Sequence, residues 1–294
     1  MKLNFLNVFL VVCSILISSC TDNNDSNSGY GQLNIQLTDA PFPHDMVAEA
    51  NVTIFKIDAR YKGDIELNAQ AIDSTDVTIE TDSGKSFIVL MEDEIQVNLL
   101  ELTNGITKNL VDMDIPTGSY DLMRVYVKGV NIVLKDSTTY NLKVPSGAQS
   151  GIKVFIKPEL IVSSGLSSDL LLDFDVSKSF VAKGRGQNIT GFNFKPVIKA
   201  SNLSTTGTLL GSVTGVEQDS TITTVEGAQV AVIVSDTINT TTFTDVDGAY
   251  MLMGLDAGSY NVEVQKEGYI MQTTEEVQIN AANKTVQDFE LVKE

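Results

Sequence analysis

Short runs that alternate apolar and polar residues dominate the chain. Leu33, Ile35 and Leu37 alternate with Gln32, Asn34 and Gln36, and the same two-residue period recurs in Tyr140, Leu142 and Val144 and in Ile152, Val154 and Ile156. Leu170, Leu172, Phe174 and Val176 form another such set, and Val230, Val232 and Val234 and Tyr260, Val262 and Val264 two more. A period of two places every second side chain on one face of an extended segment, so each run predicts a half-buried strand. The runs are rich in Val, Ile, Thr and Tyr and are punctuated by Gly, Asn, Asp and Ser, as strands joined by turns require. The only helical expectation is a turn near residues 107–111. The predicted fold class is all-β, with two β-sandwiches in series.

Residues 1–19 depart from this pattern and read as an export signal. Lys2 supplies a positive start, and residues 5–17 are apolar except for Asn7 and Ser14, a run short of the ~20 residues that span a bilayer. The run ends in Leu16-Ile17-Ser18-Ser19-Cys20, which resembles a bacterial lipobox and implies a lipid on Cys20 after cleavage. Cys13 leaves with the signal, so the mature chain keeps one cysteine and no internal disulfide. Residues 20–30 are a polar tether whose acidic residues favour display at the cell surface over the periplasmic face of the outer membrane. The membrane is therefore an expected partner through the lipid anchor alone.

A chain of 294 residues has room for two domains of about 100–200 residues. The first is expected at 31–200, followed by a small, polar linker at 201–208 and a second domain at 209–294. No Lys or Arg occurs from Ser201 to Gln265, which predicts a negative face on the second domain. Between Gly63 and Ser86 the chain is acidic and Thr-rich, as in a long hairpin or insertion. Thr244-Asp245-Val246-Asp247-Gly248-Ala249-Tyr250 predicts a tight hairpin, because Gly tolerates positive φ and Asp caps the turn.

Several motifs carry family resemblances. Leu210-Gly211-Ser212-Val213-Thr214, Val225-Glu226-Gly227-Ala228-Gln229-Val230, the Asp-Gly turn, Gly254-Leu255-Asp256-Ala257-Gly258-Ser259-Tyr260 and Lys266-Glu267-Gly268-Tyr269 occur in order. Together they resemble the carboxypeptidase-regulatory-like (transthyretin-like) domain family. That resemblance implies a seven-stranded Greek-key sandwich of carbohydrate-binding-like fold, with Tyr260 packed in the core. In the first domain the matching pieces are Leu37-Thr38-Asp39-Ala40-Pro41, Ile115-Pro116-Thr117-Gly118-Ser119-Tyr120 with Arg124, Val144-Pro145-Ser146-Gly147, Ser150-Gly151-Ile152-Lys153, Leu172-Asp173-Phe174-Asp175 and Phe194-Lys195-Pro196-Val197-Ile198. These resemble a bacterial lipoprotein family known only as a domain of unknown function (family 4382), which implies no biochemical role. The hexapeptides ending in Tyr120 and Tyr260 echo one another, so the two sandwiches are expected to share a corner with an inward tyrosine.

Composition narrows the chemistry. The net charge of −18 argues against nucleic acid, whose binding needs a Lys/Arg surface. A single His, His44 in Pro41-Phe42-Pro43-His44-Asp45, and no Gly-x-Ser-x-Gly elbow leave no serine-histidine machinery, and a zinc site lacks its His/Cys cluster. Hard cations need only oxygens, and Asp173 and Asp175 alternate onto one strand face where Asp39 can join them; solvated or ion-paired carboxylates are the alternative. Phosphate loops fail on spacing. No cofactor is expected. Sugar recognition stacks an aromatic ring on the pyranose, and with no Trp that role falls to Tyr61, Tyr126, Tyr140 or Tyr269. The expected function is a non-catalytic binding or adhesion module, with a glycan or an envelope protein as partner. A structural spacer in an envelope complex and a carboxylate hydrolase are the alternatives.

Overall fold

Leu33, Ile35 and Leu37 are fully buried, while Gln32, Asn34 and Gln36 reach the other face, so the first strand is built as its alternation requires. The computed structural model describes residues 29–39, 46–63, 77–144, 148–185, 188–217 and 221–294. The expected signal peptide, Cys20 and His44 lie outside these residues, as do residues 64–76 of the expected insertion. Tyr30, the last residue assigned to the tether, already opens the first strand and is buried.

The first unit runs β1 (Tyr30–Thr38), β2 (Val47–Tyr61), β3 (Ile79–Asp82), β4 (Lys85–Met91), β5 (Ile95–Asn98), a 3-10 turn (Leu99–Glu101) and β6 (Lys108–Pro116). It continues through β7 (Gly118–Leu134), β8 (Thr139–Leu142), β9 (Ile152–Val162), β10 (Ser167–Phe174) and helix α1 (Val176–Ser179). The hairpin β11 (Phe180–Arg185) and β12 (Asn188–Phe194) and then β13 (Ile198–Asn202) complete it. One sheet has the order β13-β10-β1-β6, with β1 and β10 parallel. The facing sheet is β3-β4-β2-β7-β8, with β5 also on β2 and β9 also on β7. Its spine is the pair of long strands β2 and β7, whose register shifts at four points; each irregularity bends the pair and lets it wrap the core. Ile35, Leu172 and Phe174 from one sheet meet Ile54, Ile57, Met123 and Val125 from the other in a single apolar cluster.

Residues 107–111 form no helical turn. Lys108–Val111 belong to β6 and pair with β1, which supplies the backbone partners that one isolated turn cannot supply for itself. Within the acidic segment, β3 and β4 do form a hairpin, turning at Ser83 (φ 51°) and Gly84 (φ 71°).

Only residues 203–205 separate β13 from the next strand. The second unit comprises β14 (Thr206–Val216), β15 (Ile222–Thr224), β16 (Gln229–Val234), β17 (Thr237–Phe243), β18 (Ala249–Asp256), β19 (Gly258–Gln265), β20 (Gln272–Ile279), β21 (Lys284–Val286) and β22 (Phe289–Val292). One sheet is centred on β14, flanked by β18 and β15 on one side and by β21 and β22 on the other; the second is β17-β16-β19-β20. The count exceeds the expected seven because β15, β21 and β22, of three or four residues each, all hang on the long β14. Val230, Val232, Val262 and Val264 pack against Leu209, Val213, Tyr250 and Phe289 in a core of their own.

The Asp-Gly turn does not close a hairpin. It leads from β17, which pairs with β16, to β18, which pairs with β14, and so is a corner between the two sheets. Asp245 Oδ1 accepts from the N–H groups of Asp247 (3.0 Å) and Ala249 (2.9 Å), which fixes the turn. Gly248 has φ 74°, and a Cβ there would lie 2.6 Å from the Val213 carbonyl. Turn chemistry thus selected the residues, but the approach to β14 selected the partner strand.

Candidate functional site

β1 begins at Tyr30, in register with Pro116, and ends at Thr38; Thr38 and the following Asp39 border the second unit beside Thr240, Thr242 and Met251. The entry of the chain and the second unit therefore sit at opposite ends of a nine-residue strand, about 30 Å apart at ~3.3 Å per residue. Asn104, Ser201 and Lys199, whose Nζ lies 3.5 Å from the Gly254 carbonyl, tie the first unit to the second. Asn104 Oδ1 accepts from the Met251 N–H (2.5 Å) while its Nδ2 donates to the Ala249 carbonyl (3.1 Å) and lies 3.3 Å from Asp245 Oδ2. Ser201 Oγ donates to the Gly254 carbonyl at 3.3 Å. All three grip the outer edge of β18.

The junction encloses a crevice of about 240 Å³ lined by Asp173, Asp175, Lys178, Lys199, Asn239 and Thr240, among others. It contains two of the three carboxylates picked out as a possible cation set, but they have other duties. Asp175 caps α1: Oδ1 accepts from the Lys178 N–H (2.9 Å) and Ser177 Oγ (2.6 Å), and Oδ2 pairs with Lys178 Nζ at 2.7 Å. Burial works against its charge, yet the bonds from Lys178 and Ser177 outweigh it and hold the carboxyl below the usual range. Asp39 Oδ1 accepts from the Val176 N–H, at the start of the same helix. Asp173 lies on β10, in register with Thr38 on one side and Lys199 on the other. Among the described residues, no group of three or more Asp, Glu, His or Cys is arranged to hold a metal ion.

The four tyrosines separate cleanly. Tyr61 is buried, gives its hydroxyl to the Thr117 carbonyl and packs 5.5 Å from the Tyr120 ring. Tyr126 is buried against Asp58, and burial raises its hydroxyl pKa. Tyr140 bonds the Ile189 carbonyl and packs against Phe192. Tyr269 is half-buried against the second core and gives its hydroxyl to Glu217 (3.3 Å), and it also lines an open concavity, of about 680 Å³, with Phe243, Gln229, Gln265, Lys266 and Met271. Gln265 Nε2 donates to Gln229 Oε1 at 2.8 Å across β16 and β19, so a cross-strand amide pair forms part of the same lining.

A charged cluster in the first unit went unread in the sequence. Asp58, wholly buried on β2, takes a forked pair of bonds from Arg124 on β7, both 2.7 Å, and a third from the Tyr126 hydroxyl at 3.0 Å. Arg124 Nη1 reaches Asp82 at 2.7 Å, and its guanidinium lies 3.6 Å from the centre of the Phe87 ring. The Asp58 bond is the main reason the guanidinium holds its proton more tightly than usual. Every group has a partner, so the cluster braces the β4-β2-β7 sheet. The available signal was one Arg inside the otherwise apolar stretch Leu122-Met123-Arg124-Val125-Tyr126-Val127.

A family model described as a domain of unknown function (DUF4382) matches residues 30–196, more than half of the chain. The chain belongs to that family. Arg124, Tyr120 and Asp173 all fall in the DUF4382 segment, and the carboxypeptidase regulatory-like domain matches residues 208–292 after it, in the order the motifs gave. The chain is similar to GBS52, the minor pilin of the Gram-positive pathogen Streptococcus agalactiae, at 13% identity over 90% of this chain and 96% of that one, with a TM-score of 0.25. It is similar to the shaft pilin SpaA from Lactobacillus rhamnosus GG at 10% identity over 90% and 98% of the two chains, TM-score 0.26. The Bacillus anthracis TIE protein matches at 12% identity over 98% of this chain and 44% of that one, TM-score 0.24. No curated protein matches the chain.

Proposed function

We propose that the chain is a non-catalytic binding module of the bacterial cell envelope, held to a lipid leaflet through acylated Cys20 and engaging a neutral glycan with its second unit. The observation that carries this reading is the open concavity whose lining combines Tyr269 and Phe243 with the Gln229–Gln265 amide pair. A sugar ring offers an apolar C–H face and a rim of hydroxyls, and an aromatic surface beside amides answers both. The charged lining consists of Lys266 against Glu267 and Glu294, and no Lys or Arg precedes Lys266 back to Ser201, which disfavours polyanionic ligands. Because the second unit sits at the far end of β1 from the entry of the chain, an anchor before Tyr30 leaves it projecting outward.

The test is binding of the full chain to an array of neutral glycans, repeated with Gln265→Ala, whose exposed side chain leaves the core intact. The reading expects selective binding that weakens about tenfold on loss of the amide. Binding that ignores the substitution, or none at all, contradicts it. The spacer reading draws support from the Asn104 and Ser201 contacts, which stiffen the junction; it expects no ligand and an extended, rigid particle in solution scattering.

A further inference from the structure

Asn104 and Gly105 are the one Asn-Gly pair in the chain. Asn104 stands in the left-handed region at φ 57°, and its amide behaves as an extra strand residue laid against β18, bonding Met251 and Ala249 as a neighbouring backbone would. Gly105 follows at φ 80°, and a Cβ there would lie 2.4 Å from Met251 Sδ. The positive φ at 105 favours glycine, and the seam uses the side-chain amide of residue 104. That pairing is also the dipeptide least protected against succinimide formation, because a residue without Cβ leaves its backbone nitrogen unhindered.

We propose that Asn104 is a deamidation site, shielded while the seam is closed, whose modification holds the two units apart. In the reaction the Gly105 backbone nitrogen attacks Asn104 Cγ and gives up its proton. The Cγ–Nδ2 bond breaks, and ammonia leaves. Water then opens the five-membered ring at either carbonyl, giving aspartate or isoaspartate. One water enters, one ammonia departs, and nothing is oxidised or reduced.

In the closed seam two bonds fix the amide against β18, a third joins it to Asp245 in the preceding turn, and Gly105 packs beside the Met251 side chain, so Cγ is held and ring closure is opposed. Separation of the units frees both residues. In aspartate a carboxylate oxygen replaces Nδ2 and faces Asp245 Oδ2, formerly 3.3 Å from the amide nitrogen, as a like charge. In isoaspartate Cγ becomes the main-chain amide to Gly105 and the free carboxylate is the former α-carbonyl, so the side-chain amide is gone and the backbone is one atom longer. Neither product keeps the Nδ2 protons that bonded the Ala249 carbonyl. Reclosure is opposed, so a transient opening becomes permanent. This inference rests on the seam alone and is independent of any glycan.

The test ages the full chain in warm, mildly alkaline buffer and follows residue 104 by peptide mass spectrometry, beside a synthetic peptide of residues 102–108. Asn104 should deamidate about tenfold or more slowly than in the peptide, since opening breaks several hydrogen bonds, and sub-denaturing urea should narrow that gap. Small-angle scattering and proteolysis at residues 203–205 should show the aged protein converging on freshly made Asn104→Asp. Asn104→Gln, which does not form the five-membered ring, should not change with age. An amide that survives exhaustive incubation overturns the proposal. So does a rate equal to that of the peptide, or a deamidated protein that scatters like the fresh one.

Discussion

Tyr120 and Tyr260 make the same bond: each hydroxyl donates to the carbonyl oxygen four residues earlier, Pro116 and Asp256 respectively, at 2.7 Å in both units. The echo between the two hexapeptides is thus a shared corner in which a tyrosine closes its own turn. The copies differ in depth. Tyr120 is 1% exposed within the first core, whereas Tyr260 packs at the margin of the second. Burial is the main cause that raises the hydroxyl pKa of both.

Depth sets the cost of deleting either hydroxyl. Tyr120→Phe strands the Pro116 carbonyl away from water and should destabilise the protein by about 1–3 kcal/mol in urea unfolding; Tyr260→Phe, whose partner water can reach, should cost about 1 kcal/mol or less. Equal costs would mean that the two corners do not differ in burial as described.

The Asp58–Arg124 pair should respond asymmetrically. Asp58→Ala leaves a guanidinium with its main partner gone and should cost about 3–5 kcal/mol, while the double change Asp58→Ala with Arg124→Met should recover part of that loss. Asp82→Asn, at the exposed end of the same network, should cost no more than about 1 kcal/mol. Denaturant midpoints of the four proteins decide the matter.

Asp175 gives a pH signature. Its folded carboxyl titrates below the ordinary value, so its contribution to stability is complete above the unfolded pKa, about 4, and is lost as pH falls through the folded value. The stability gap between the native protein and Asp175→Asn should hold constant near neutrality and narrow as pH drops below about 4. A gap that widens with acid would reverse the assignment.

Two glycines with similar backbone angles should behave differently. Gly84→Ala meets nothing within 4 Å and bears only the strain of its φ of 71°, about 1 kcal/mol. Gly248→Ala adds a collision with the Val213 carbonyl to that strain and should cost at least about 2 kcal/mol more, seen as a lowered melting temperature of the second unit.

Local chemistry was legible where the structure is local. Period-two runs gave the strands of both cores, and the repeated Gly-Ser-Tyr gave the shared corner. Pairing across distance was not legible. β6 lost its expected helical turn to β1, and the Asp-Gly turn named its own geometry but not that β18 would join β14 rather than β17. Asp58 and Arg124 are 66 residues apart, and Asn104 lies 147 from Met251, so neither bond leaves a trace in any window of sequence. Asp39 and Asp175 were recognised as notable carboxylates, but their use as acceptors for the first N–H groups of α1 depended on a four-residue helix that no periodicity could announce.

The central claim is that this β-rich body hangs from a membrane by its first mature residue. Intact-mass analysis of the protein extracted from its native envelope tests it most directly. The account predicts a chain that begins at Cys20 and carries acyl groups there. A free thiol at Cys20, or a retained Met1 leader, would contradict it.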